Sequence, residues 1–226
     1  MPLSPRKALP PLTAAFALAL TAACSGGAPE DLGEASQEDL AALLVEGEVP
    51  ADPPEADLSG LPAEPDASAP VAERAAWNLL SGISEIAGAV DPEAAAECPA
   101  DMREAAGENH TCTLTYGGVD LEFPLTSEEA SGGISFSFEH PRVPVTREFA
   151  EESLRHQSGV GAVFCDMEDV AVLEPGAEEP ADFNCYARDG GVAWVDSAED
   201  TVSPYDVYMI NGGFLSFSQR ASASNG

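Results

Sequence analysis

The chain has 226 residues, with 40 acidic and 9 basic side chains and a formal net charge of −31 at pH 7. Nucleic acids bind proteins through cations that neutralise their phosphates, so this charge excludes DNA and RNA as partners. The same excess of carboxylates favours solubility, tolerance of salt, weak binding of divalent cations or a basic partner.

The first 23 residues have the pattern of an export signal. Arg6 and Lys7 precede an apolar run from Leu12 to Ala23, an order that is typical of secretory signals. The run is shorter than the roughly 20 apolar residues that span a bilayer. The small residues directly before Cys24 resemble a bacterial lipobox, whose cysteine is lipidated. We therefore predict a lipoprotein anchored through Cys24 to the outer face of the cell membrane. The alternative is an ordinary signal that leaves Cys24 as a free thiol.

Residues 24–69 are predicted to form a disordered acidic stalk. The segment is rich in Pro, Ala, Glu and Asp and has no aromatic residue, so it cannot bury enough apolar surface to offset the entropy of ordering. One short helix is predicted within Ser36–Leu44, where Ser36 and Asp39 can form a capping box. This helix either is transient or docks on a partner or on the protein's own domain.

The remaining chain is predicted to form two tandem α+β units, at residues 70–141 and 142–220, followed by a disordered tail at 221–226. Each unit begins with a helix. Apolar residues at helical spacing run from Val71 to Ile86 in the first unit, and a weaker pattern of the same spacing runs from Val145 to Gln157 in the second. Because the landmarks of both units follow the same order, we interpret them as an internal repeat. Chance similarity is the alternative.

Pairs of glycines predict β-hairpins in both units. Gly117-Gly118 and Gly190-Gly191 each separate two segments in which apolar and polar residues alternate. Strand-like segments after Gly132-Gly133 and Gly212-Gly213 close the units. Each unit is therefore predicted to be a helix that covers one face of a three- or four-stranded antiparallel sheet.

Four cysteines remain after Cys24, and an exported protein forms disulfides from such cysteines. Three pairings are possible. Because the repeat predicts one bridge inside each unit, we expect Cys98–Cys112 and Cys165–Cys185. Each would stabilise the fold by roughly 3 kcal/mol. Neither pair has the C-x-x-C spacing that favours a redox or metal site.

The first unit carries Cys98-Pro99, then Gly107, then Thr111-Cys112-Thr113-Leu114-Thr115. This pattern, over about residues 71–138, resembles the domain of unknown function 4333 family found in actinobacterial lipoproteins. The resemblance implies a surface-exposed lipoprotein of a high-GC Gram-positive bacterium, and it implies no activity. The second unit departs from the pattern, since Asp166 follows Cys165 where the family has proline.

The sequence contains no motif for catalysis or cofactor binding. His110, His140 and His156 are far apart in the sequence, and no Gly-x-Ser-x-Gly elbow or phosphate-binding glycine loop is present. The acidic cluster at 196–200 lacks the pattern of a dedicated calcium loop, and we expect either weak binding of divalent cations or a solvated loop. We therefore predict that the protein is not an enzyme and has no cofactor or resident metal.

Aromatic residues are concentrated late in the chain, and Trp194, Tyr205 and Tyr208 are the candidates for a binding patch. The predicted function is a non-catalytic binding or interaction module whose partner is an envelope protein, a peptide or a wall polymer. The alternatives are a hydrolase of envelope polymers that uses carboxylates, and a spacer with no specific ligand. Two convergent acids with shifted pKa values would favour the hydrolase, whereas exposed aromatics would favour binding.

Overall fold

The computed structural model describes Leu32 and residues 35–131, 133–188 and 201–220. The predicted signal peptide, Cys24 and the predicted tail lie outside the described residues. The elements, in chain order, are α1 Gln37–Leu43, β1 Val45–Glu46, α2 Val71–Ala87, β2 Ala95–Glu97, β3 Asn109–Tyr116, β4 Val119–Ala130, β5 Gly133–Phe138, β6 Val143–Thr146, α3 Arg147–Ser158, β7 Ala162–Cys165, β8 Val170–Leu173, β9 Asn184–Arg188, β10 Val202–Ile210 and β11 Phe214–Gln219.

The first unit is helix α2 with a four-stranded antiparallel sheet in the order β2-β3-β4-β5. The apolar stripe of α2 is buried against the core, with Leu79 and Ile83 at its centre. The hairpin predicted at Gly117-Gly118 is confirmed. Both glycines have positive φ (58° and 75°), which a two-residue hairpin turn of this kind requires and which glycine adopts without a steric penalty.

The second unit repeats this strand order. Helix α3 packs on a sheet in the order β1-β7-β9-β10-β11, so its own four strands form an antiparallel meander like that of the first unit. Strand β8 lies between Cys165 and Cys185 and pairs with β6 in a separate two-stranded sheet. This added strand accounts for the longer cysteine loop of the second unit. The predicted α+β class is confirmed.

Both predicted disulfides, Cys98–Cys112 and Cys165–Cys185, are confirmed. Each joins the first two strands of its meander. Cys165 lies directly opposite Cys185 in the register of β7 and β9, and Cys98 follows β2 immediately while Cys112 lies within β3. The two bridges therefore lie at corresponding positions, one within each unit.

The two units share one hydrophobic core. Buried residues of α2 and β4, such as Ile83 and Phe123, belong to the same cluster as Leu154 of α3 and Val207 of β10. The junction is also hydrogen-bonded, because the Thr146 hydroxyl that caps α3 donates to the carbonyl oxygen of Ala87 at 3.0 Å. The units therefore stabilise one another.

The described part of the hairpin predicted at Gly190-Gly191 is its first strand, β9. Strand β9 pairs with β7 on one side and with β10 on the other, and Val202 of β10 lies opposite Arg188. Both edges of β9 are thus occupied by other strands. Two alternating segments follow Arg188 in the sequence, and local alternation does not reveal which of them pairs with β9. Gly190 and Gly191 themselves lie outside the described residues.

The predicted stalk is also corrected over its described part. Residues 35–62, which we call the strap, lie along the two units. The capping box of α1 forms as predicted, with the Ser36 hydroxyl accepting from the Asp39 amide at 3.2 Å. Leu40 is only 7% exposed and packs with Tyr186 and Val202 on the outer face of the second sheet. The segment is ordered because this sheet supplies the apolar surface that the strap lacks.

After α1 the strap crosses from the second unit to the first. Val45 and Glu46 pair with the edge strand β7, and the Asp57 amide donates to the Gly88 carbonyl at 3.0 Å. The Trp77 indole then donates to the carbonyl of Pro62 at 2.9 Å. These polar contacts are spaced along the strap, so it is held to both units.

We expect Leu40→Ala to loosen the strap by about 2 kcal/mol, because the substitution removes most of its buried apolar anchor. Amide exchange in residues 37–46 should accelerate about 30-fold, since the local open state becomes that much more populated. Leu43→Ala is the matched control, because Leu43 is only half-buried and should change exchange little. Equal exchange in both variants would show that Leu40 does not anchor α1.

Candidate functional site

The predicted binding patch divides between the two faces of β10. Tyr205 packs against the shared core, whereas Tyr208, three positions later, lies on the opposite face because side chains alternate along a strand. Trp194 lies outside the described residues. Tyr205 and Tyr208 therefore do not form one surface.

A different apolar surface lies at the tip of the β10–β11 hairpin. Ile210 and Phe214 are directly opposite each other in the register and are 47% and 68% exposed. Tyr208 lies two residues from Ile210 on the same face of β10. The predicted binding patch did not include Phe214, although the position of Phe214 in the sequence indicates exposure. It precedes the apolar Leu215 in a strand, and one of two adjacent apolar residues in a strand must face outward.

Beside Phe214, a groove of about 890 Å³ lies between the two units. Its walls come from the strap, α2, α3 and the hairpin tip. The apolar lining residues are Pro53, Pro54, Leu58, Ile86, Phe149, Phe214 and Leu215. An apolar cleft of this volume with a few polar groups has the properties of a ligand or peptide site.

Two glycines determine the shape of this groove. At Gly213 a Cβ atom would lie 2.9 Å from Cγ1 of Ile86, so the hairpin backbone approaches α2 more closely than any other residue would allow. At Gly82, by contrast, a Cβ atom would meet nothing within 4 Å. This glycine therefore leaves the α2 side of the groove open.

Two of the three histidines lie at this groove. Nδ1 of His156 is 3.1 Å from the Pro50 carbonyl oxygen, and because that oxygen only accepts, Nδ1 carries the proton. His140 is exposed on one side and packs edge-on against Phe123, with ring centroids 6.0 Å apart. This partial burial lowers the pKa of His140. His110 instead interacts with Glu108, with Nε2 and Oε2 3.3 Å apart.

The other polar groups of the groove are mostly acceptors. The Gln157 side-chain amide donates to the Leu215 carbonyl at 2.9 Å, so this N–H is not available to a ligand. Glu55 and Glu85 lie at the rim, and the lining residues include no lysine or arginine. The groove therefore combines an apolar wall with negative charge.

Two other concavities are more polar. One of about 810 Å³ lies on the outer face of the first sheet and is lined by Thr111, Thr113, Thr115 and carboxylates. The other, of about 570 Å³, lies beside Tyr208 and has three glutamates in its lining. Neither presents an exposed aromatic comparable to Phe214, so the groove is the stronger candidate site.

Among the carboxyl groups that the structure describes, Glu151 has a raised pKa, and burial is the main cause. Its Oε1 accepts from the Cys165 amide at 3.3 Å, and its Oε2 lies 3.5 Å from Nη2 of Arg155. Arg155 in turn donates to the Gly161 carbonyl at 3.0 Å. The Glu151 carboxylate is thus engaged in holding α3 to β7, and it does not form the convergent acid pair that would indicate a hydrolase.

The described part of the chain contains no group of three or more His, Cys, Asp or Glu side chains placed to hold a metal ion. The acidic cluster at 196–200 lies outside it. Among the same residues, no helix has the length and apolar character needed to cross a bilayer.

Comparisons with family models, curated proteins and solved structures find no match to this chain. The resemblance of the first unit to the domain of unknown function 4333 family therefore stays a prediction.

Proposed function

We propose that the protein is a lipid-anchored cell-surface lipoprotein that acts as a non-catalytic binding module, and that the groove is its contact site. The observation that carries this proposal is the apolar groove between the units, with the largely exposed Phe214 at its edge. Exposed aromatics beside a concave apolar surface are typical anchors for a partner. A peptide or an envelope protein fits this surface better than a polymer of the cell wall does, because the lining of the groove is largely apolar.

The proposed anchor is supported by the pattern of residues 1–24 and by two disulfides, which form in oxidising compartments. The described strap begins at residue 35. Ten residues separate it from Cys24, and a chain of that length spans at most about 35–40 Å. A protein anchored at Cys24 would therefore act close to the membrane rather than at the end of a long stalk.

Site-specific photo-cross-linking on intact cells tests the binding site. A benzophenone amino acid in place of Phe214 is expected to form one discrete adduct with an envelope component. The same amino acid at Val119 is the matched control, because Val119 is also an exposed apolar residue beside a hairpin turn, at 38% exposure. Equal labelling from both positions would contradict a site at the groove.

Two further variants separate the site from the anchor. Gly82→Phe should abolish the adduct at position 214, because the new ring fills the groove from a position where an added Cβ atom would meet nothing within 4 Å. Cys24→Ser should move the protein from the membrane fraction to the soluble fraction. Retention of the Cys24→Ser protein in the membrane would refute the lipid anchor and leave the test of the groove intact.

A further inference from the structure

We propose that the groove takes a cationic amphipathic segment of its partner, with apolar side chains against Phe214 and Ile86 and a lysine or arginine at Glu55 and Glu85. This inference rests on the proposed binding function and specifies the chemistry of the partner. It is drawn from the groove's lining, its hydrogen-bonding groups and the charge of the whole chain.

The apolar part of the segment is required by the exposed surface. Phe214 is 68% exposed and Ile210 opposite it is 47% exposed, so both lose contact with water when a partner covers the hairpin tip. The wall continues inward to Ile86 and Leu215. A bound side chain can therefore extend from the hairpin tip into the groove without leaving apolar surroundings.

The cationic part is required by the polar groups. Nδ1 of His156 and the amide of Gln157 already donate within the protein. The carboxylates of Glu55 and Glu85 are acceptors at the rim. The groove therefore has more acceptors than donors, and an ammonium or guanidinium group supplies the missing donors.

The charge of the chain excludes the nearest alternative, a second copy of the same protein. Of the seven described arginines, six form ion pairs with the protein's own carboxylates, and the seventh, Arg142, lines the other two concavities. A second copy would bring a net charge of the same sign to the groove, and like charges repel across an interface. A basic segment would instead be attracted to it.

The test uses the mature protein and two synthetic 14-residue amphipathic peptides, one of leucine and lysine and one of leucine and glutamate. Affinity is measured by fluorescence anisotropy at two salt concentrations. We expect the lysine peptide to bind and the glutamate peptide to bind at least tenfold more weakly. Phe214→Ser should weaken the lysine peptide about tenfold, whereas Val119→Ser should not. The double variant Glu55→Gln/Glu85→Gln should weaken it several-fold and reduce its dependence on salt.

Each contrary result has a distinct meaning. Binding of both peptides with equal, Phe214-dependent affinity would overturn the cationic preference while supporting the groove as a binding site. Binding of the lysine peptide that is unchanged by Phe214→Ser would show attraction to the total charge of the protein and would overturn the inference. Thermal unfolding of each variant confirms that the fold is intact, since Phe214, Glu55 and Val119 are exposed.

Discussion

Replacing Gly88 by alanine is expected to destabilise the protein by about 3 kcal/mol. Gly88 ends α2 with φ at 89°, in the left-handed region, where a side chain costs roughly 1–2 kcal/mol. A Cβ atom there would also lie 2.2 Å from Cγ and 2.3 Å from Cβ of Phe149. These atoms are close to the backbone of α3, so the ring cannot rotate away, and overpacking adds about 1–3 kcal/mol.

Gly159→Ala is the matched control for this prediction. Gly159 ends α3 in the same left-handed conformation, with φ at 72°, but a Cβ atom there would meet nothing within 4 Å. The control should therefore lose only the conformational part, about 1 kcal/mol. Both values are measured by urea denaturation of the purified mature protein. If the two variants lose equal stability, the close approach of Gly88 to Phe149 is not a determinant of the junction between the units.

The second large effect concerns the disulfides. Replacing both cysteines of either bridge by alanine should lower the free energy of unfolding by roughly 3 kcal/mol, because the reduced chain gains the loop entropy that the bridge removes. The two bridges join cysteines that are 14 and 20 residues apart in the sequence. The two losses of unfolding free energy should therefore be similar. Removing Cys24, which lies outside both bridges, should leave the stability of the mature protein unchanged.

The shared core makes the same experiment informative about both units. Since α2, β4, α3 and β10 contribute to one cluster, the loss of either bridge should destabilise both units in a single cooperative transition. Amide exchange resolved by residue measures this directly. Unfolding of the altered unit alone, with the other unit still protected, would refute a common core and favour two independent domains.

Local patterns were sufficient for the helices and for the first hairpin. The apolar spacing from Val71 to Ile86 predicted α2 because helical periodicity survives in any packing arrangement. Gly117-Gly118 predicted its turn because the positive φ values are a local requirement. The in-unit pairing of the cysteines followed from the repeated order of landmarks, and the structure confirmed it.

Features that depend on contacts between residues distant in the sequence were predicted incorrectly or were not predicted. The strap looked disordered because its own apolar content is small, yet Leu40 is buried against Tyr186 and Val202, which follow it by more than a hundred residues. The described partner of β9 after Arg188 begins at Val202, a pairing that local alternation did not predict. Tyr205 and Tyr208 of the predicted binding patch lie on opposite faces of β10, because an odd number of positions separates them.

The amino-acid sequence by itself determined the α+β class, the two disulfides, the position of α2 and the strongly negative net charge. Those properties follow from composition and from interactions between residues that are near in sequence. Only the tertiary structure decided that the units share a core, that the strap crosses both, and that Phe214 borders a groove with Glu55 and Glu85. These depend on contacts between residues far apart in sequence, whose burial becomes defined only when both units and the strap pack together.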